Sequence, residues 1–298
     1  MRAVWSFWSK PHRAGRRQAW PSEFHHALAW SLSVQEASQH YPDTWLYTDD
    51  DGARLLVDDL RLPFAHVRTD LNALADHDSG LWALGKLHTY RRQTEPFIHL
   101  YFDVFLWLPL PERLTRAGVF AQHPEAFTPG ASHYQPERVE RVLAAVNGWL
   151  PVEWRWYRAS RRALRGECCG VFGGHRLDFI HHMADLAFEI LERPANAAAI
   201  ALLEDKVALM LLLEQFLLAA CLEYHRARPN SPFEGVSMAY VFEAGTDPFN
   251  PEQAAQASYT HLIAGAKRNP AVTRLMEDRV RRDDPQQFER CVRVARRK

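Results

Sequence analysis

Residues 96–107 read Pro-Phe-Ile-His-Leu-Tyr-Phe-Asp-Val-Phe-Leu-Trp, an aromatic-rich apolar run with one carboxylate, Asp103. Residues 96–105 are predicted as a strand, the fourth in the chain. Shorter apolar runs at 3–8, 44–48 and 64–67 precede it, with helical stretches at 24–38, 53–60 and 81–92. Strands separated by helices imply an α/β fold with a mostly parallel sheet and helices on both faces. Further on, 119–122 and 168–172 predict strands, the second ending at Gly173-Gly174, and 137–149, 175–192 and 196–225 predict helices. Within 196–225, Leu209, Leu212, Leu213, Phe216 and Ala220 recur at helical spacing and should face the core. Basic amphipathic segments at 269–284 and 286–296 predict a C-terminal helical extension, 269–298, on a single domain spanning 1–298.

Charge argues against one class of function and leaves room for a local basic patch. Lys plus Arg and Asp plus Glu each number 36 in the 298 residues, a formal net charge of +0. A neutral chain without a recognition motif is a poor nucleic-acid binder. Four cysteines, with no CxxC pair and no zinc spacing, read as reduced thiols in a cytoplasmic protein. The start MRAVWSFW places its apolar residues before the basic ones, the reverse of a signal peptide. The apolar segment 195–222 is interrupted by Glu204, Asp205, Lys206 and Glu214, so no transmembrane span is expected.

Ligands of open α/β sheets bind beyond the carboxyl ends of the strands. Four places satisfy that rule. After the first strand, Lys10, Arg13, Arg16 and Arg17 suit a phosphate or form a solvated basic loop. After the second, Asp49-Asp50-Asp51-Gly52 offers a ligand carboxylate, Asp49, or a turn with a helix N-cap. In the fourth strand, a carboxylate within so apolar a run is costly unless paired, metal-bound or capping backbone N–H groups, which singles out Asp103. In Cys168-Cys169-Gly170-Val171-Phe172-Gly173-Gly174, the glycines allow close backbone approach to a ligand. His181-His182 with Asp185 suggests metal, but no third ligand is evident, and a surface position is the expectation.

Taken in order, Trp5-Ser6-Phe7-Trp8-Ser9-Lys10-Pro11, Thr48-Asp49, Ala83-Leu84-Gly85-Lys86-Leu87-His88-Thr89-Tyr90, the 96–107 run, Gly170-Val171-Phe172-Gly173-Gly174 and Tyr259-Thr260-His261-Leu262 resemble nucleotide-sugar glycosyltransferases of the GT-A fold. More closely, the chain resembles a bacterial family of glycosyltransferase-like proteins opening with W/Q-S-F-W-x-K-P. The family's fourth strand reads I-H-x-D-x-D-V-F-x-W, whose two aspartates hold a divalent cation, Mn²⁺ or Mg²⁺, that bridges to the donor diphosphate. Asp103 matches the second aspartate and Tyr101 stands at the first, where a neutral phenol is a poor ligand for a hard cation. Lys86 matches a family lysine on the preceding helix. Cys168-Cys169-Gly170 stands where relatives carry Asn-Ala-Gly. Glu214-Gln215 matches a family Glu-Gln that interrupts an apolar helix, where a buried carboxyl would have a raised pKa and serve as a base or steady an oxocarbenium-like centre, or else the two form a hydrogen-bonded helix-packing pair. His261 and Lys267 resemble an H-x-x-G-x-K loop contacting metal and diphosphate, with one extra residue between His and Gly.

What the resemblance implies is a hexosyl-type glycosyltransferase using a nucleotide-diphosphate sugar. Residues 1–125 would bind the donor and 126–268 the acceptor. Lys10, Asp49, Lys86, Gly170, Gly173, His261 and Lys267 would serve donor and diphosphate, Asp103 and His261 the metal, and Asp103, Glu214 and Gln215 the chemistry. The alternative is a non-catalytic nucleotide-sugar-binding or scaffold protein, favoured by Tyr101 and Cys168. The cationic cluster Arg281-Arg282, Arg293 and Arg296-Arg297-Lys298 would meet acidic lipid head groups or water.

Overall fold

β-Branched and aromatic residues flank small ones in Arg-Ala-Val-Trp-Ser-Phe, and the segment forms a strand, Arg2–Phe7, buried along nearly its whole length. The computed structural model describes residues 1–15, 19–128, 133–160, 163–204, 206–243 and 246–297. Its strands are β1 (Arg2–Phe7), β2 (Thr44–Thr48), β3 (His66–Arg68), β4 (Phe97–Leu100), β5 (Val104–Leu106), β6 (Val119–Ala126), β7 (Arg165–Gly174), β8 (Met238–Tyr240) and β9 (Tyr259–His261). Arg16, Arg17, Asp205 and Lys298, named above, lie outside the described residues. The fold is α/β, and most strand pairs are parallel. The chain divides into two compact units, Met1–Asp76 with Phe97–Pro111 and Thr246–Lys298, and His77–Pro96 with Glu112–Gly245.

In the first unit β1 pairs in parallel with β2 on one side and β4 on the other, and β2 pairs in parallel with β3. The spatial order β3-β2-β1-β4 therefore reverses between β1 and β4. The Glu23–Ser38 helix buries residues almost all round. The helices Pro270–Asp283 and Pro285–Ala295 pack against it, with Gln35 donating to Asp284 at 2.8 Å, Arg279 to Glu36 at 2.9 Å and Gln287 to Ser31 at 2.8 Å. Both C-terminal helices start on a proline after an Asn269 or Asp284 side-chain cap, as a fixed φ and orphan N–H groups favour.

The strand expected over 96–105 is two strands. β4 ends at Leu100, and a turn, closed by Val104 N–H to Tyr101 O at 3.1 Å, redirects the chain into β5. β5 pairs antiparallel with β9, Val104 opposite His261. The apolar run was continuous because both strands are buried, so hydropathy carries no mark of the bend. Similarly, the helix expected at 53–60 is a single capped turn, Asp50–Ala53, running into a widened turn, Arg54–Asp59.

In the second unit β6 pairs antiparallel with β7 and parallel with β8. β7 is longer than the expected 168–172 segment, and its register against β6 shifts between Ala121 and His123. The single helix expected over 196–225 is broken. Pro194–Ala201 stops, and a second helix covers Val207–Arg226, with a widened turn at Leu212–Phe216. Leu209, Leu212, Leu213, Phe216 and Ala220 are all buried, as their spacing predicts. Val207–Arg226 is long and apolar enough to cross a membrane by length and composition, and 83% of its apolar window is buried inside the structure, as in a core helix.

Candidate functional site

Within the first unit, the carboxyl ends of β1, β2 and β4 carry Ser9-Lys10, Asp49 and Tyr101–Asp103. Asp49 is buried and fully engaged. Its Oδ1 accepts from Gly52 N–H at 2.8 Å, and its Oδ2 accepts from Ser9 N–H at 2.9 Å and Ser9 Oγ at 2.8 Å. The turn-and-cap alternative is what the structure shows, and Asp49 also ties the start of the Ser9–Arg13 helix to the end of β2. Gly52 is required here, because a Cβ would lie 2.0 Å from Thr48 Oγ1 and 2.8 Å from Phe7 Cδ1. Lys10 donates to Ala75 O at 2.6 Å, and Arg13 pairs with Asp51.

At the β4–β5 corner, Asp103 gathers a lysine and a histidine. Lys267 forms an ion pair with Asp103 Oδ2, and His261 Nε2 lies 3.3 Å from Oδ1. The β5–β9 register puts His261 beside this corner, and the turn Ala264–Arg268 brings Lys267 back to it. Asp103 and Lys267 are each 14% exposed and His261 is 8% exposed. Burial alone would raise the Asp103 pKa, but the Lys267 ammonium and His261 override it and hold the carboxyl well below its ordinary range. Tyr101 packs edge-on to His261, ring centroids 5.8 Å apart. A hard divalent cation asks for several anionic oxygens. Here the corner offers one carboxylate, already shared with an ammonium, together with one imidazole and a phenol. This donor set does not fit Mn²⁺ or Mg²⁺.

The second unit collects a different set. Lys86, on the Leu84–Arg91 helix, pairs with Glu214 at 3.3 Å, and Tyr90 one turn on donates to Glu214 at 3.1 Å. The Glu214 side chain is 0% exposed, on the widened turn of its helix. Such local widening recurs at functional sites. Burial, then Glu214, pushes the Tyr90 phenol well above its usual value. Gln215 meets the Tyr134 hydroxyl, which also lies 2.5 Å from Glu125 Oε2. One hydroxyl proton cannot serve two acceptors, so the Gln215 amide is best turned with its NH₂ toward Tyr134. Burial keeps the Cys168 thiol protonated by raising its pKa well above the usual value, so Cys168 is no nucleophile. Gly170 and Gly173 lie in the buried part of β7, where Gly173 pairs with Phe120.

A family model described as "Family of unknown function (DUF6734)" matches residues 1–294. The chain belongs to DUF6734. No curated protein matches this DUF6734 chain in sequence. Among solved structures it is similar to mouse xyloside xylosyltransferase 1 in its apo form, at 11% identity and a TM-score of 0.35, over 86% of this chain and 92% of that one.

Several polar residues of this DUF6734 chain escaped the sequence. Tyr90 reads only as part of the 81–92 helix, Tyr134 and Glu125 fall outside every predicted element, and only folding joins them to Glu214 and Gln215. His182 has partners that no spacing rule supplies, Glu153 and His225. Its sequence neighbours do other work. His181 meets Gln93 O at 2.9 Å, and Asp185 pairs with Arg91 at 2.7 Å.

Proposed function

We propose that this protein is a glycosyltransferase that binds a nucleotide-diphosphate sugar and moves the sugar to an acceptor. One observation carries the proposal. The Asp103–Lys267–His261 group sits at the carboxyl end of β4, next to β1, where the strand order reverses. Open α/β sheets bind nucleotides in that crevice. Lys267 carries three N–H donors, and one bond to Asp103 leaves two for diphosphate oxygens. Asp103 is then a positioning residue that aims Lys267 and His261, and Lys10 lies on the same strand-end edge. Neutralising a leaving diphosphate in this way requires no divalent ion, in line with the donor set. The proposal keeps the chain in a reducing, cytoplasmic compartment, in line with four buried free thiols.

Calorimetric titration with a nucleoside diphosphate and with the bare nucleoside tests it. Lys267→Ala should weaken the diphosphate roughly tenfold to a hundredfold, about 1.5–3 kcal/mol, and spare the nucleoside. Equal weakening of both ligands, or no diphosphate binding by the wild type, rejects the assignment. A second reading, a donor-binding protein without transfer, is favoured by Glu214, both of whose oxygens already meet Lys86 and Tyr90. Release of free sugar from a bound donor, measured over time, separates the two.

A further inference from the structure

We propose that Glu153, His182 and His225 form a zinc site with three protein ligands and one open position. The ligands come from separate helices of the second unit, Val152–Ala159, Leu177–Glu192 and Leu217–Arg226. Their ligand atoms form a nearly equilateral triangle. Glu153 Oε1 lies 3.0 Å from His182 Nε2 and 3.5 Å from His225 Nε2, and the two Nε2 atoms lie 3.4 Å apart. Tetrahedral Zn²⁺ with bonds of about 2.0–2.1 Å separates its ligand atoms by about 3.3–3.4 Å. The shortest edge is a good hydrogen bond, and the other two, at 3.4 and 3.5 Å, are longer than the 2.7–3.2 Å of good ones and match the spacing of metal ligands.

A second observation concerns the outer shell. His225 Nδ1 meets Ser231 Oγ at 2.6 Å, and Ser231 Oγ also accepts from Phe233 N–H at 3.3 Å. In the tautomer with the proton on Nδ1, His225 donates to Ser231 Oγ and presents its Nε2 lone pair, the arrangement that orients metal-bound histidines. The Phe233 ring packs 4.9 Å from both imidazoles and restrains their rotation. Glu153 and His225 are 6% and 8% exposed, whereas His182 is 28% exposed, so the triangle is anchored inside and approachable from the His182 side. A water molecule suits the fourth position. Nitrogen donors with one carboxylate favour a borderline cation such as Zn²⁺ over Mg²⁺ or Ca²⁺.

The full-length protein, stripped with a chelator, is titrated with Zn²⁺ against a chromophoric competitor and, separately, with Co²⁺ read by visible absorption. The wild type should show a tight equivalent that His182→Gln and His225→Gln each remove. Ser231→Ala should weaken it roughly 10–100-fold, and His181→Gln should leave it unchanged. Co²⁺ should give the intense bands of a tetrahedral ion, absent in His225→Gln. The Ser231→Ala result and the wild-type Co²⁺ spectrum stand even if a histidine variant misfolds. No tight Zn²⁺ in the wild type, a weak octahedral Co²⁺ spectrum, or a zinc count unchanged in both histidine variants overturns the proposal.

Discussion

The imidazole of His261 lies 3.3 Å from the carboxylate of Asp103 because β5 and β9 pair antiparallel with Val104 opposite His261. The neighbouring Lys267 completes a buried cluster in which one carboxylate faces an ammonium and an imidazole. Its energetics are read most directly through pH.

Asp103 has a folded-state pKa held well below its ordinary value of 3.8. A depressed carboxyl contributes stability that is present above the unfolded value and lost as pH falls through the folded one. Asp103→Asn removes that contribution. The stability gap between wild type and Asp103→Asn should be large at neutral pH and shrink from about pH 5 to about pH 2. Urea midpoints across that range test this, and parallel profiles for the two proteins would contradict it.

Lys86 and Glu214 are coupled in the second unit. Lys86→Met leaves the fully buried Glu214 carboxylate without its cation and should cost roughly 3–5 kcal/mol. The double variant Lys86→Met/Glu214→Gln carries no stranded charge and should be more stable than Lys86→Met alone. Urea midpoints at unchanged m values decide this. Strictly additive effects would show that the pair contributes nothing.

Tyr101 decides the metal dependence of the corner beside Asp103. The wild type should bind a nucleoside diphosphate equally well with Mn²⁺ and with a chelator present. Tyr101→Asp adds a second anionic ligand two residues from Asp103 at the same turn and should make binding improve with Mn²⁺ by roughly tenfold, about 1.4 kcal/mol. Mn²⁺-dependent binding already present in the wild type would overturn the cation-only account.

Gly174 closes β7 at φ +144, and a Cβ there would lie 2.2 Å from Gly118 O. Both the backbone conformation and the contact with rigid main chain oppose any side chain. Gly174→Ala should cost at least about 2 kcal/mol, seen as a lower urea midpoint. A midpoint equal to wild type would mean that the β6–β7 end relaxes freely.

Periodicity and composition were enough for the elements whose burial is one-sided or complete along their length. β2 occupies 44–48 as expected, the 24–38 helix gains only Glu23, and the stripe from Leu209 to Ala220 is core. Local pattern encodes each of these, because a helix or strand shows its buried face at a fixed period. The aspartate turn was legible for the same reason, since an N-cap and a glycine act on neighbouring backbone. Tertiary structure alone decided the bend at Tyr101–Asp103, because β4 and β5 are equally apolar and their partners, β1 and β9, are far apart in sequence. It also joined Lys86 to Glu214 and brought Glu153 and His225 to His182. Such meetings depend on how separate helices pack, and no spacing within one segment records which residues of another it will face.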